Sequence, residues 1–325
     1  MHNGHSPNDT TVCKAYKPAL HSVPTHTEPQ VTLMKLAIST YSLAKWQSSQ
    51  NKSLEQCLDW IAGAGVRAVE FVDLGDKAQK IGPVRYAAQL RRRCERLSLA
   101  VAGYCAPANL LVSPRAQRAM VEQLKVHVDI ACQLGCKSMR HDVAVGWHTA
   151  KRVHGPRTFA HAVKIVVPAI REVADYAHDR GVVTSMENHG FYVQASKRVE
   201  QLINTVAHPN FALTIDMGNF LCVGENPVAA VRRLSKYAVM AHVKDFHVKA
   251  KRQAPSSGWL QTPTPIALRG AIVGHGDIDI PAQLRALKTA GYKGYLSLEF
   301  EGLEEPPTAI RLGLDYLRSK LRQIS

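Results

Sequence analysis

The chain has 325 residues, 46% hydrophobic and 21% charged, which is the balance of a globular protein with a full core. Its formal net charge of +15 would attract anionic partners, yet the basic residues are scattered along helical stretches, as at Arg91, Arg92, Arg93 and Arg96. The aromatic-interleaved basic stripe of a single-strand binder is missing, which disfavours nucleic acid as a partner, and no apolar run approaches the roughly 20 residues that cross a bilayer.

Residues 1–33 are polar, rich in His, Thr and Pro, and aperiodic. They lack the apolar segment of a secretory signal and read as a disordered extension ahead of a single domain over residues 34–325. From Lys35 onward, short apolar runs alternate with longer stretches of helical period. Strands are expected at Lys35–Thr40, Val66–Val72, Leu99–Tyr104 and Cys136–His141 in the first half. Leu54, Leu58 and Ile61, then Ala87, Leu90, Cys94 and Leu97, then Met120, Leu124, Val128 and Ala131 mark the intervening helices. Gly135 is a helix stop, and a fourth helix carrying Val163, Val167, Ile170, Ala174 and Ala177 closes at Gly181. The second half repeats the scheme, with strands at Val182–Glu187, Phe211–Asp216, Ala238–Lys244 and Gly294–Glu299. Helices are expected near Val199–Val206, Val228–Leu234, Gln283–Ala290 and Ile310–Leu321. Eight strand–helix units with short connections define an α/β fold, a closed (β/α)8 TIM barrel. A doubly wound sheet is the alternative, but no Gly-rich phosphate turn follows the first strand.

Seven cysteines (13, 57, 94, 105, 132, 136 and 222) are odd in number and scattered. Cys132 and Cys136 have no second pair to complete a zinc site, so free buried thiols in a reducing cytoplasm are expected.

Alternate residues of a barrel strand point inward, and the C-terminal strand ends carry the chemistry. That register puts Ser185 and Glu187, Thr214 and Asp216, His242 and Lys244, and Ser297 and Glu299 inside on four consecutive strands. Glu187, Asp216, His242 and Glu299 then converge at the barrel mouth. Three crowded carboxylates repel one another unless a cation holds them. Oxygen ligands with one imidazole suit a divalent ion, Mn²⁺ by preference among Mg²⁺, Co²⁺ and Zn²⁺.

The stretches Met186–Gly190 (MENHG), Thr214–Asn219 (TIDMGN), Ala241–Asp245 (AHVKD) and Ser297–Gly302 (SLEFEG) resemble the sugar isomerase/epimerase superfamily of xylose isomerase-like TIM barrels. Ile272–Asp279 (IVGHGDID) fits the glycine-rich loop before the last helix of that superfamily, and the likeness runs from about Met34 to Leu321. The resemblance implies that Glu187, Asp216, His242 and Glu299 are metal ligands and that Glu187 and Glu299 exchange protons with the substrate. A cation chelated by a carbonyl and a neighbouring hydroxyl acidifies the intervening C–H and stabilises the enediolate. Two carboxylates on opposite sides of that carbon then move the proton.

Around this quartet, His189, Asn219 and Lys244 are substrate-contact candidates, Asn219 standing where some relatives carry a His. Tyr41, Glu70 and either Arg140 or His141 sit near other strand ends, and Glu301 is a weaker candidate for the place of Glu299. The segment Phe246–Asp277 is too long for an ordinary connection and reads as a cover, with Trp259 stacking on a sugar face and Arg269 meeting an anionic group. The expected function is a metal-dependent isomerase or epimerase of a sugar, keto-sugar or cyclic polyol, in a dimer or tetramer. A lyase on the same enolate chemistry, an inosose-type dehydratase or a cleaver of 3-keto-glycosides, is the alternative. A repair nuclease like endonuclease IV is remote, since it needs extra histidines that this chain lacks.

Overall fold

The computed structural model describes residues 34–324; the expectations for residues 1–33, and for Cys13 within them, lie outside that range. Eight parallel strands close into a barrel in chain order. They are β1 (Lys35–Ser39), β2 (Ala68–Phe71), β3 (Ala100–Ala106), β4 (Ser138–His141), β5 (Val183–Glu187), β6 (Phe211–Asp216), β7 (Ala238–Val243) and, after an excursion, β11 (Tyr295–Leu298). β11 pairs with both β7 and β1, which seals the cylinder. The expected strand ends hold to within a few residues: Lys244 and Glu299 fall just beyond β7 and β11.

The strands close this way because each has two different faces. Outward residues such as Leu213, Ile215, Leu296 and Leu298 are buried in the large cluster between barrel and helices. Inside, Ala37, Ala68, Ala102 and Met240 form a separate small plug at the lower end. Gly103 belongs to that plug: a Cβ there would stand 2.8 Å from Met240 Cε and 3.2 Å from Ser138 Oγ. Above it the lining turns polar, with Ser185 and Thr214 hydrogen-bonded to each other at 2.8 Å.

The helical ring is amphipathic, and its ends carry the expected punctuation. One helix (Pro114–Leu134) is capped by Ser113, which accepts from Ala116 N–H, and stops at Gly135, whose φ of +79° is left-handed. Where one helix is expected after β2 there are two, Gly75–Ile81 and Pro83–Arg96. Gly82 takes φ +88° and Pro83, lacking an N–H, starts the second helix afresh. Cys57, Cys94, Cys105, Cys136 and Cys222 are free and buried as expected. Cys132 corrects the reading of all seven as free thiols, because it is disulfide-bonded.

The long segment after β7 is a folded flap rather than an irregular loop. β8 (Asp245–Ala250), β9 (Leu260–Gln261) and β10 (Ile266–Ala271) form an antiparallel sheet in the order β8–β10–β9. Asp245 pins its root: the carboxylate accepts backbone N–H groups of Phe246, Gly274, Gly276 and Ile278. A Cβ at Gly276 would lie 2.2 Å from Asp245 Oδ1, so only glycine lets the backbone wrap this carboxylate. The glycine-rich loop is therefore explained by a buried carboxylate. No helix among the described residues is long and apolar enough to cross a membrane.

Candidate active site

The C-terminal strand ends surround a cavity of about 360 Å³. Glu187 ends β5, Asp216 ends β6 opposite His242 of β7, and Glu299 follows β11, tied by its N–H to Val243 O at 3.0 Å. All four are buried. Ligand atoms of Glu187, Asp216 and His242 lie within 4.8 Å of one another. Glu299 stands outside that group of three, with Oε1 3.3 Å from His242 Nδ1, while Glu187 Oε2 lies 3.6 Å from the same nitrogen.

Two observations show that this set fits a divalent cation. First, Asp216 Oδ2 and His242 Nδ1 are buried polar atoms that make no hydrogen bond; their neighbours are the Lys244 ammonium at 3.3 Å and the Glu299 carboxylate at 3.3 Å, ionic contacts that coordination to a cation would replace. Asp216 Oδ1, by contrast, accepts the N–H groups of Gly218 and Asn219, so only the other oxygen is left for a ligand. Second, the imidazole is aimed from behind. His242 Nε2 is 2.9 Å from Glu70 Oε1, and Glu70 also accepts from Ser297 Oγ at 2.7 Å and Cys105 Sγ at 3.4 Å. With Nε2–H directed at Glu70, Nδ1 presents its lone pair to Glu187, Asp216 and Glu299. Carboxylates behind ligating histidines orient the ring and raise its basicity. Glu70→Gln is expected to weaken Mn²⁺ binding by roughly 10–100-fold in a direct titration. An unchanged affinity would leave Glu70 as a packing residue alone.

Electrostatics agree with a site built for positive charge. Burial, together with Glu187 and Glu299 and against the pull of Lys244, pushes the Asp216 carboxyl up to about 6. Burial opposes protonation of His242, but Glu299, Glu70 and Glu187 outweigh it and raise its pKa well above the usual imidazole value. Glu187 goes the other way: burial would raise it, yet Arg140, 2.5 Å away, and His242 hold it well below the carboxylate range.

Around the quartet the other candidates fall into three groups. Lys244 lines the cavity and is fully paired, 3.1 Å from Glu299, 3.3 Å from Asp216 and 3.7 Å from Glu301, whose carboxylate also accepts from Tyr41 at 3.2 Å. Glu301 is thus the partner of Lys244 and Tyr41, outside the ligand triad. Asn219 also lines the cavity, but its Nδ2 donates to Glu187 Oε1 at 3.1 Å. His189 lines it half-exposed, with Nδ1 2.9 Å from Asp142 Oδ1.

Of Arg140 and His141, only Arg140 faces the cavity; His141 lies in the strand–helix layer, 6.0 Å from the Phe211 ring. Trp259 and Arg269 are not brought to the cavity wall. Their side chains face each other on the flap at 5.4 Å, and Lys249 lies over the same indole at 5.5 Å. The neighbouring Leu260 reaches the cavity instead.

Sequence reasoning missed Asp142, which bridges Arg140 at 3.0 Å to His189. It also missed Asn188, whose side chain locks β5 to β6 by donating to Asp216 O and accepting from Asp216 N–H. Asn188 stands between two motif residues, a position that could have drawn attention to it.

The fold and this strand-end constellation define an α/β-barrel protein with an enzyme-type site. The chain belongs to the xylose isomerase-like TIM barrel family, whose model matches residues 58–320. It is similar to the rhizopine catabolism protein MocC of Rhizobium meliloti, 26% identical over 253 residues, covering 76% of this chain and 74% of that protein. It is also similar to an inosose dehydratase of Geobacillus thermodenitrificans, 21% identical over 255 residues, covering 77% and 82%. Among solved structures, an L-ribulose 3-epimerase superposes with a TM-score of 0.67 at 18% identity, covering 90% of this chain and 96% of the other, a likeness of fold.

Proposed function

We propose that the chain is a divalent-metal-dependent isomerase or epimerase of a keto-sugar or keto-cyclitol, Mn²⁺ being the favoured ion and a dimer or tetramer the working assembly. The observation that carries this reading is the approach of two carboxylates, Glu187 Oε2 at 3.6 Å and Glu299 Oε1 at 3.3 Å, to His242 Nδ1 in the cluster that also holds Asp216. Glu187, Asp216, His242 and Glu299 would hold the cation, which supplies Lewis-acid polarisation of a substrate carbonyl.

The remaining chemistry belongs to side chains. A carboxylate within reach of the carbon next to that carbonyl removes its proton, and a second carboxylate across the cavity returns one to the other face or to the adjacent carbon. Arg140 and Asn219 fix the two oxygens of Glu187, and Lys244 fixes Glu299, so neither base has to be found by rotation. Lys244, His189 and Asn219 line the cavity and would be the contacts for substrate hydroxyls and the carbonyl.

A lyase reading shares the first step and differs in the second. It is favoured by His189, which Asp142 holds at the cavity wall where it could protonate a departing hydroxyl, and by the kinship with an inosose dehydratase. The test is solvent-deuterium exchange across a panel of keto-sugars and inososes with Mn²⁺ present, followed by product analysis. Exchange beside a carbonyl with retained mass supports isomerisation, and loss of water supports the lyase. No exchange with any member of the panel would overturn both.

A further inference from the structure

Lys244 is a cation that already stands among the groups proposed to hold the metal. Its ammonium lies 3.3 Å from Asp216 Oδ2 and 3.1 Å from Glu299 Oε2, and its side chain is only 7% exposed. A divalent ion held by the same two carboxylates would sit beside this ammonium, and like charges so close repel. Entry of the ion therefore favours withdrawal of Lys244. A third carboxylate is within its reach. Glu301 Oε2, at 3.7 Å, is the longest of its three ion pairs and has room to close.

Glu301 is held in place as a seat for that ammonium. Its backbone packs against Gly270 of β10, where a Cβ would stand 2.6 Å from the carbonyl carbon and oxygen of Glu301. Gly270 also bridges to Gly302, so the flap holds the loop that follows β11. Tyr41 donates to the same Oε2 at 3.2 Å. The Glu301 side chain is 28% exposed, against 9% for Glu299 and 0% for Asp216, which puts it nearer to solvent than either. The stem of Lys244 is held as well. A Cβ at Gly218 would lie 2.6 Å from Lys244 Cγ, so glycine is what lets the loop after β6 pack against it. With the stem fixed, the part left to change rotamer is the end that carries the charge.

We infer that Lys244 holds the place of the cation in the metal-free site and passes to Glu301 when the ion binds, leaving Asp216 Oδ2 and keeping Glu299 Oε2. Glu301 is then a positioning residue, which acts on the ion through Lys244 and not as a ligand. The inference rests on the metal site proposed above, and its test separates the two.

Mn²⁺ is titrated by calorimetry, at one pH, into wild type, Glu301→Gln, Lys244→Gln and the double variant. Lys244→Gln should bind the ion about tenfold more tightly or better, the scale on which a charge within about 4–6 Å alters the binding of another. Glu301→Gln should weaken binding by about tenfold while Lys244 is present, and by less than about twofold in Lys244→Gln, where the seat has no occupant. An equal loss in both backgrounds overturns the inference, because Glu301 would then act on the ion directly. So does a Lys244→Gln protein that binds no more tightly than wild type. A crystal structure of Mn²⁺-loaded wild type needs no variant to fold: Lys244 should have left Asp216 for Glu301, and an ammonium still against Asp216 or turned to solvent overturns the inference. Absence of Mn²⁺ binding by both wild type and Lys244→Gln removes the metal site itself, and this inference with it.

Discussion

Glu187→Gln is expected to lower deuterium exchange into a keto-substrate by roughly 10²–10⁴-fold, the range lost when a positioned general base is removed. The substitution keeps the size of the side chain and an acceptor for Asn219 Nδ2, but it removes the charge that faces Arg140 and His242. Because Arg140 holds the Glu187 carboxyl well below the ordinary range, Glu187 stays ionised throughout the neutral and mildly acid region. A carboxylate so placed is a weak base towards water and is effective only on a C–H that has been made acidic. With the divalent ion held saturating, so that the weaker hold of a neutral Gln on the cation is compensated, the loss should appear in kcat more than in KM, since ground-state binding does not depend on the proton's removal. Arg140 keeps Asp142 as a partner 3.0 Å away, so its guanidinium is not stranded in the variant. Glu187→Asp, which retains charge but retracts it, should fall between the two. Wild-type exchange in Glu187→Gln would remove this residue from the chemistry and leave Glu299 to act alone.

Legibility of the site from sequence followed the reach of the periodicity rules. Alternation along a strand places every second residue inside, and one parallel barrel turns four such strands into neighbours, so Glu187, Asp216, His242 and Glu299 could be grouped before their geometry was known. The same rule put Ser185, Thr214 and Ser297 beneath them, where the structure has them buried and, for Ser297, bonded to Glu70. What periodicity cannot specify is pairing between side chains from different elements. Arg140, Asp142 and His189 form one chain of contacts across β4 and the loop after β5, set by side-chain rotamers rather than by spacing.

Trp259 and Arg269 show the converse error. Both have suitable chemistry for a sugar site, but the flap folds as a hairpin-like sheet and presents them to each other, with Leu260 turned to the cavity. A left-handed phenylalanine at position 191 has no sequence signature, because bulky residues seldom adopt that conformation.

Asp216→Asn should weaken divalent-ion binding by more than about 100-fold, exceeding the loss expected for the outer partner Glu70, and exchange should fall with it. The reasoning turns on the two oxygens of this residue. Oδ1 accepts two backbone N–H groups, an arrangement that an amide oxygen can retain, so the turn at Gly218 and Asn219 should survive. Oδ2 faces Lys244 at 3.3 Å without a hydrogen bond, and replacing it by an NH₂ removes a ligand while setting a donor against an ammonium group.

The pH dependence follows from the same geometry. With no cation bound, Asp216 takes up a proton as pH falls through about 6, and the carboxylates around His242 hold a proton on the imidazole. A metal ion must displace these protons, so its affinity should fall as pH is lowered from 7 to 5. In Asp216→Asn one competing proton is absent, and the plot of log Kd against pH should be shallower as well as displaced. Titration of wild type and variant with Mn²⁺ at several pH values measures both effects. Parallel plots would show that Asp216 does not compete with protons for the ion, and equal affinities would take it out of the metal site.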